Sequence, residues 1–435
     1  MKFNKSNLLK KKFHSLIPGG CHTYSKGDDQ YPELAPSCLV RGEGCHVWDV
    51  DGNEFIEYGM GLRAVTLGHA YSPVVEAAYR QMLLGSNFTR PATIEMECAE
   101  QLLSLITTAE MAKFAKNGSD ATSAAVRLAR AYTGRDLVAV CAEHPFFSVD
   151  DWFIGSTPLK CGIPKKIQDL TLKFHYNDLG SVRALFDAYP GQIACFMLEP
   201  ATTVEPMPDF FHKLHTLCHE NGALLVLDEM ITGFRWHLGG GQACYGVEPD
   251  LSTFGKALGN GFSISALVGK REIMERGGLG HDKERVFLLS TTHGAETHSM
   301  AAAIMTMKIY ESEHVVEYLY RQGNALATGI RKSVIEHGLT EHFVLLGRPC
   351  NLIYSARDDL KKPSQVYRAL FMQEMIKRGI LMPSMVVSFS HTDIDIQRTV
   401  EAIDGALAVY RKALDEGVDK YLVGRPVKPV FRAFN

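Results

Sequence analysis

Three short stretches of this chain hold residues whose types and spacing can do chemistry. Lys256 lies in STFGKALGNG, between a strand-like approach and a glycine-rich segment that lets backbone come close to a ligand. A lysine there is either a solvated amine or a nucleophile able to form an imine with a carbonyl group. Asp228 ends the apolar run ALLVL. A carboxylate at a buried strand end needs a cation or strong hydrogen-bond donors to offset its lost hydration, and a structural ion pair meets that need as well as a ligand does. Asn117, Gly118, Ser119 and Asp120 precede a helical pattern that begins near Ala121. Free N–H groups at a helix start form an anion site suited to phosphate; the same residues also make an ordinary N-cap.

The elements that must position these groups follow from periodicity. From about residue 95 to 310, short β-branched or Leu-rich runs alternate with segments of helical period, the pattern of βα units on a mostly parallel sheet. LVAVCA from Leu137, ACFMLE from Ala194 and ALLVLD from Ala223 read as strands covered on both faces, because each is nearly continuous in apolar residues. In such sheets ligands collect at the carboxyl ends of the strands, where Asp228 stands. Helices are predicted for ATSAAVRLARAY from Ala121, for DFFHKLHTLCHENG with Gly222 as its stop, and for THSMAAAIMTMKIYESE from Thr297. WDVDGNEFIEYG reads as a hairpin around Asp51 and Gly52, and beyond residue 310 the pattern changes to a smaller α+β unit. The expected division is an N-terminal arm over 1–55 packing with the small domain, a large domain over 56–310 and a C-terminal small domain over 311–435.

An imine-forming lysine, a buried carboxylate able to hold a pyridine nitrogen protonated, and a phosphate cradle at a helix start are together the three protein groups that pyridoxal phosphate (PLP) requires. They also fall in the expected order along the chain. LLVLDEMITGFR, KNGSDATSAAVRLARAYTGR and FGKALGNGF resemble class III aminotransferases of PLP fold type I, and most of all the glutamate-1-semialdehyde aminomutase branch. PGG near the start, VWDVDGNEFIEYG, LGHA and HTDIDIQRTVEAI extend the resemblance over nearly the whole chain.

The resemblance implies an α/β fold with a mostly parallel seven-stranded sheet in the large domain. It implies Lys256 as the Schiff-base lysine, which then moves a proton between the substrate Cα and the cofactor, and Asp228 as the pyridinium partner. Gly118 and Ser119 would hold the phosphate. Phe146, in EHPFFS where the family has Tyr-His-Gly, would stack on one ring face and Met230 would pack on the other, or both are plain core residues. Thr292 in STTHGAETHS matches a threonine that reaches the phosphate of a neighbouring subunit, which implies a homodimer with a shared site. Glu199 in LEP matches a glutamate near the cofactor.

The departures from the family concern the substrate. Where the branch carries PGGVSSPVR, this chain reads Pro18, Gly19, Gly20, Cys21, His22, Thr23, Tyr24, Ser25 and Lys26. Lys26 still offers charge to an anion, without the planar fork of arginine. A family tryptophan aligns with Leu62, and Arg63 replaces a small neighbour, either as a new anion contact or as a surface residue. Only MVVSFS separates Pro383 and Ser384 from His391 and Thr392, so the branch's gate glutamate has no counterpart. The expected reaction is transfer of an amino group from an amino-acid donor to a carbonyl acceptor, with an intramolecular aminomutase or an epimerase as the alternative. His22, Lys26 and Arg63 point to an anionic or polyhydroxylated acceptor.

Composition agrees with an enzyme of this kind. Hydrophobic residues make up 46% of the 435, enough for a large core, and 46 basic against 49 acidic residues leave no footprint of a nucleic-acid binder. Ten scattered cysteines form no C-x-x-C pair and no Cys/His cluster at zinc spacing, so a disulfide scaffold and a metal centre are not expected. Gly259, Asn260 and Gly261 begin a dinucleotide-like pattern that Ile264 breaks, and neither a P-loop nor a nucleophile elbow occurs. With no long apolar stretch and no cleavable leader, the chain reads as cytoplasmic, with no membrane partner.

Overall fold

The computed structural model describes residues 1–294 and 296–434. By internal contacts the chain forms two units: Ser72–Val316, and a terminal unit built from Met1–Tyr71 with Glu317–Arg432. Residues 56–71 thus fall in the terminal unit. The reason lies in pairing: Glu54–Glu57 forms a parallel ladder with Ile380–Leu381, which ties this stretch to a segment more than 300 positions away.

The Ser72–Val316 unit is built on a seven-stranded sheet. Its strands are β1 (Met111–Ala115), β2 (Leu137–Cys141), β3 (Thr171–Phe174), β4 (Ile193–Leu198), β5 (Leu224–Asp228), β6 (Leu251–Phe254) and β7 (Ser265–Gly269). They lie in the order β1-β7-β6-β5-β4-β2-β3. Only β7 runs against its neighbours β1 and β6; the other pairs are parallel. Strands β4, β5, β6 and β7 are buried at every residue, which explains why β4 and β5 read as nearly unbroken apolar runs rather than as alternating ones. Phe196, Leu198, Leu225 and Leu227 pack with Phe210, Phe211, Leu214 and Cys218 of the Phe210–Glu220 helix in one core. That helix stops as expected, with Gly222 in the left-handed region at φ 67°.

The terminal unit has a four-stranded sheet, Leu39–Glu43, His46–Asp49, Glu54–Glu57 and Ile380–Leu381, and a separate hairpin of Phe343–Leu346 with Ile353–Ala356. The predicted turn at Asp51 and Gly52 is present. The Asp49 carboxylate accepts the N–H groups of Asp51 at 2.9 Å and Asn53 at 2.8 Å, and Gly52 takes φ 86°. Phe3, Val47, Phe55, Ile376 and Leu381 form the core under this sheet. No helix among the described residues is long and apolar enough to cross a membrane.

Candidate active site

Asp228 closes β5, and its side chain stays with the buried strand at 4% exposure. Its Oδ1 accepts the Met230 N–H at 3.0 Å and the Thr253 hydroxyl at 3.1 Å. Thr253 is its register partner on β6, so strand pairing itself brings the hydroxyl to the carboxylate. Burial pushes the Asp228 carboxyl up to about 6, against the opposing pull of the Lys256 charge and of these two hydrogen bonds. Lys256 follows β6 by two residues: Gly255 is extended at φ 179°, and Lys256 turns into the left-handed region at φ 45°. The turn stops the strand and directs the lysine to the same end of the sheet as Asp228.

Met230 lies between the backbones of two glycines. A Cβ on Gly255 would come 2.6 Å from Met230 Sδ and one on Gly118 would come 3.0 Å from the same atom. Neither site has room for a methyl group while the thioether is there. Gly118 opens a helix over Gly118–Thr133, three residues earlier than the pattern predicts, because Asn117 and Asp120 form a reciprocal cap. Asn117 Oδ1 accepts the Asp120 N–H at 3.2 Å, and Asp120 Oδ2 accepts the N–H groups of Lys116 and Asn117, each at 3.2 Å. The N–H groups of Gly118 and Ser119 have no acceptor within the helix by their position. Ser119 Oγ accepts the Val149 N–H at 3.0 Å, and the Ser263 and Ser265 hydroxyls hold the Lys116 and Asn117 carbonyls at 2.8 and 2.7 Å.

Glu199 follows β4 and is buried; its N–H donates to His144 Nδ1 at 2.9 Å. The His144 ring is therefore protonated on Nε2, and burial holds it neutral, down at about 4. Phe146 is 42% exposed and meets Phe153 edge-on at 5.8 Å, whereas its neighbour Phe147 is in the core. Thr292 is exposed, with its carbonyl accepting the Asn87 amide at 2.9 Å.

The structure thus joins Asp228, Lys256, Met230 and Gly118 through measured neighbours. His22, Lys26 and Arg63 belong to the terminal unit, where the first two are exposed. Lys26 lines a cavity of about 390 Å³ there with Lys10, Tyr31, Glu57, Leu62 and His69. Arg63 is half-buried rather than a surface residue, and its Nε donates to Asn351 Oδ1 at 3.0 Å.

Sequence reasoning misses Thr253, His144, Glu229 and the two serines. Thr253 carried a signal, since it stands three residues before Lys256 on the strand that must neighbour Asp228. Glu229 points elsewhere: it accepts the N–H groups of Gly241 and Gln242, both at 2.7 Å, and the Thr232 hydroxyl, while burial pushes it up to about 7.

The chain is similar to known proteins over nearly its whole length. Residues 27–338 match the family model described as aminotransferase class-III. A 3-aminobutyryl-CoA aminotransferase of Cloacimonas acidaminovorans is 33% identical over 425 residues, 95% of this chain and 99% of the relative. A glutamate-1-semialdehyde 2,1-aminomutase 2 of Bacillus cereus is 31% identical over 429 residues, 94% of this chain and 99% of that one. The FumI protein of Sphingopyxis sp. MTA144, solved with PLP, superposes with TM-score 0.87 at 30% identity over 94% of this chain and 97% of its own. The fold is that of the PLP-dependent transaminases, and the chain belongs to the class III aminotransferase family.

Proposed function

We propose that Ser72–Val316 binds PLP at the carboxyl ends of β4, β5 and β6, and that the enzyme passes an amino group from an amino-acid donor to a carbonyl acceptor. The observation that carries this is Asp228: a buried carboxyl pushed up to about 6 where, among the described residues, a hydroxyl and an amide hydrogen bond and the Lys256 charge offset its burial. Such a site gains free energy from a further cation, and a protonated pyridine is one. The open first turn of the Gly118–Thr133 helix fits the phosphate in the same way. When bound, PLP supplies an electron sink for the charge that develops at Cα of an amino substrate.

The residues divide the remaining work. Lys256 would hold the cofactor through its amine and would be the base that takes and returns the proton at the substrate Cα. Asp228 holds a proton at the ring nitrogen. Gly118 and Ser119 would give backbone N–H groups to the phosphate, Phe146 and Met230 would pack against the two ring faces, and Glu199 would stand near the cofactor. His22, Lys26 and Arg63 select an anionic or polyhydroxylated acceptor. The lack of a glutamate in MVVSFS favours two separate substrates over intramolecular transfer.

Exposed Tyr79, Met82, Leu83, Leu84 and Phe88 support a homodimer in which Thr292 serves the neighbouring subunit. Ten cysteines that form no disulfide among the described residues, six of them buried, support a cytoplasmic setting. The test is the absorption spectrum of the purified protein beside Lys256→Ala. A near-visible band lost in the variant, and bleached in the wild type by an amino-acid donor until a keto acceptor restores it, is expected. No band in protein supplied with PLP overturns the assignment; a band that no donor bleaches favours the mutase or epimerase reading.

A further inference from the structure

His215 and His219 stand one turn apart on the Phe210–Glu220 helix, so their side chains share a face. Their ring centroids are 4.0 Å apart. The face faces Asp250, the residue before β6, which is 2% exposed. Its two carboxylate oxygens are each 3.0 Å from His219 Nε2. One ring nitrogen of each histidine and one Asp250 oxygen all lie within 4.8 Å of one another.

Two further observations separate this group from an ordinary ion pair. His215 Nε2 is buried and makes no hydrogen bond, a cost that a native interior seldom leaves standing. His219 is 43% exposed, which leaves an approach from solvent. Burial, and then the neighbouring His219, hold His215 below the ordinary histidine range, so its ring is neutral at pH 7 and has a lone pair to give. Histidines at i and i+4 on one helix face bind a metal ion as a chelate, with a carboxylate as third ligand and water as a fourth. Metal–nitrogen and metal–oxygen bonds of about 2.1 Å in tetrahedral geometry place ligand atoms roughly 3.4 Å apart, near the His219–Asp250 separation.

We propose that His215, His219 and Asp250 form a binding site for a divalent transition-metal ion of the zinc and cobalt(II) class. The site lies at the end of β6 opposite Lys256, with Asp250 and Thr253 separated by roughly 10 Å of strand. The ion therefore braces the helix against the sheet and takes no part at the cofactor. Lys270 Nζ, 3.3 Å from Asp250 Oδ1, competes with the metal for that carboxylate. Glu248 is the other charged group acting on His215.

The test uses the full-length enzyme, stripped with chelator and titrated with Zn²⁺ by calorimetry and with Co²⁺ by visible spectroscopy. One equivalent per chain is expected, weaker as pH falls through the histidine range. His219→Ala and His215→Phe, the latter keeping a ring in place, should each weaken binding by about 100-fold, whereas Lys270→Met should tighten it. Failure of the wild type to take up metal overturns the proposal, as does uptake unchanged in both histidine variants. A cobalt spectrum with thiolate charge-transfer bands overturns it too, since it assigns the ion to the separate Cys45, His46 and Asp395 cluster of the terminal unit.

Discussion

Two buried aspartates stand at opposite ends of the neighbouring strands β5 and β6, and they are treated differently by the residues around them. Asp250 has Lys270 at 3.3 Å, His219 at 3.0 Å and the Leu225 N–H at 2.8 Å on its oxygens. Asp228 has an amide, a hydroxyl and the Lys256 charge, and burial still pushes its carboxyl up to about 6. The first carboxylate is a brace whose charge is answered close by. The second carries an unanswered part of its burial cost, and that residue of cost is what a cationic ligand relieves. Equal burial therefore does not mean equal role; the partner set decides it.

Substitutions at the two positions should separate along that line. Asp228→Asn is expected to give the largest effect, a loss of roughly 10²- to 10³-fold in kcat, because charge stabilisation at the reacting centre goes with the carboxylate. In the cofactor-free protein the same change should stabilise. The native carboxyl is pushed up from 3.8 to about 6, so its contribution is fully present below pH 3.8 and is lost as pH rises through 6. At pH 8 the Asn variant should thus melt above the wild-type apoprotein, and a lower Tm there would break the comparison.

Asp250→Asn should do the reverse: the cofactor band stays, while thermal stability falls by about 1–3 kcal/mol as Lys270 and the Leu225 N–H lose a charged acceptor. Urea melts at fixed pH read this directly. Histidines sharpen the point from the acid side. Burial holds His144 down at about 4 in one unit and His391 down at about 3 in the other. Their contribution is present above pH 6.5 and lost as pH falls through 4 and then 3, up to about 3 kcal/mol for His144. Replacing His144 with Gln should flatten the acid limb of the stability curve between pH 6 and 4, and an unchanged limb would assign acid unfolding to other groups. The smallest effect is expected for Gly255→Ala. Its new methyl must displace Met230 Sδ, at about 1 kcal/mol, and adding Met230→Ala should relieve that clash.

Much of the cofactor end was legible because local signals coincide there. The runs at Leu137, Ala194 and Ala223 are strands since parallel strands bury both faces; Asp228 ends the last of them, and Lys256 stands two residues past a further strand. Thr253 was legible as a residue of the strand next to Asp228 but not as the residue opposite it, because register is a property of two strands and not of one. In the His215–His219–Asp250 group the histidine pair is local and legible, but its carboxylate is not: 31 positions separate His219 from Asp250, and only packing closes the gap. Likewise Arg63 reaches Asn351 across 288 positions, so no local pattern decides between surface and interior. The two-residue strand Ile380–Leu381 is too short to show any period.

From Met60 to Arg63 four successive residues lie in the left-handed region, at φ 41°, 59°, 61° and 71°, and only Gly61 is a glycine. At about 1–2 kcal/mol for each of the other three, this turn is a wound spring, held by the Arg63 hydrogen bond to Asn351 and by the Val65 N–H on the Met60 carbonyl. Leu62 of the same turn lines the cavity beside Lys26. Evolution on this segment is therefore biased. Replacing the half-buried Leu62 with glycine or asparagine releases strain while it reshapes the cavity wall, so a lineage can change what that cavity admits at little cost in stability, whereas Met60 is held in place by its burial.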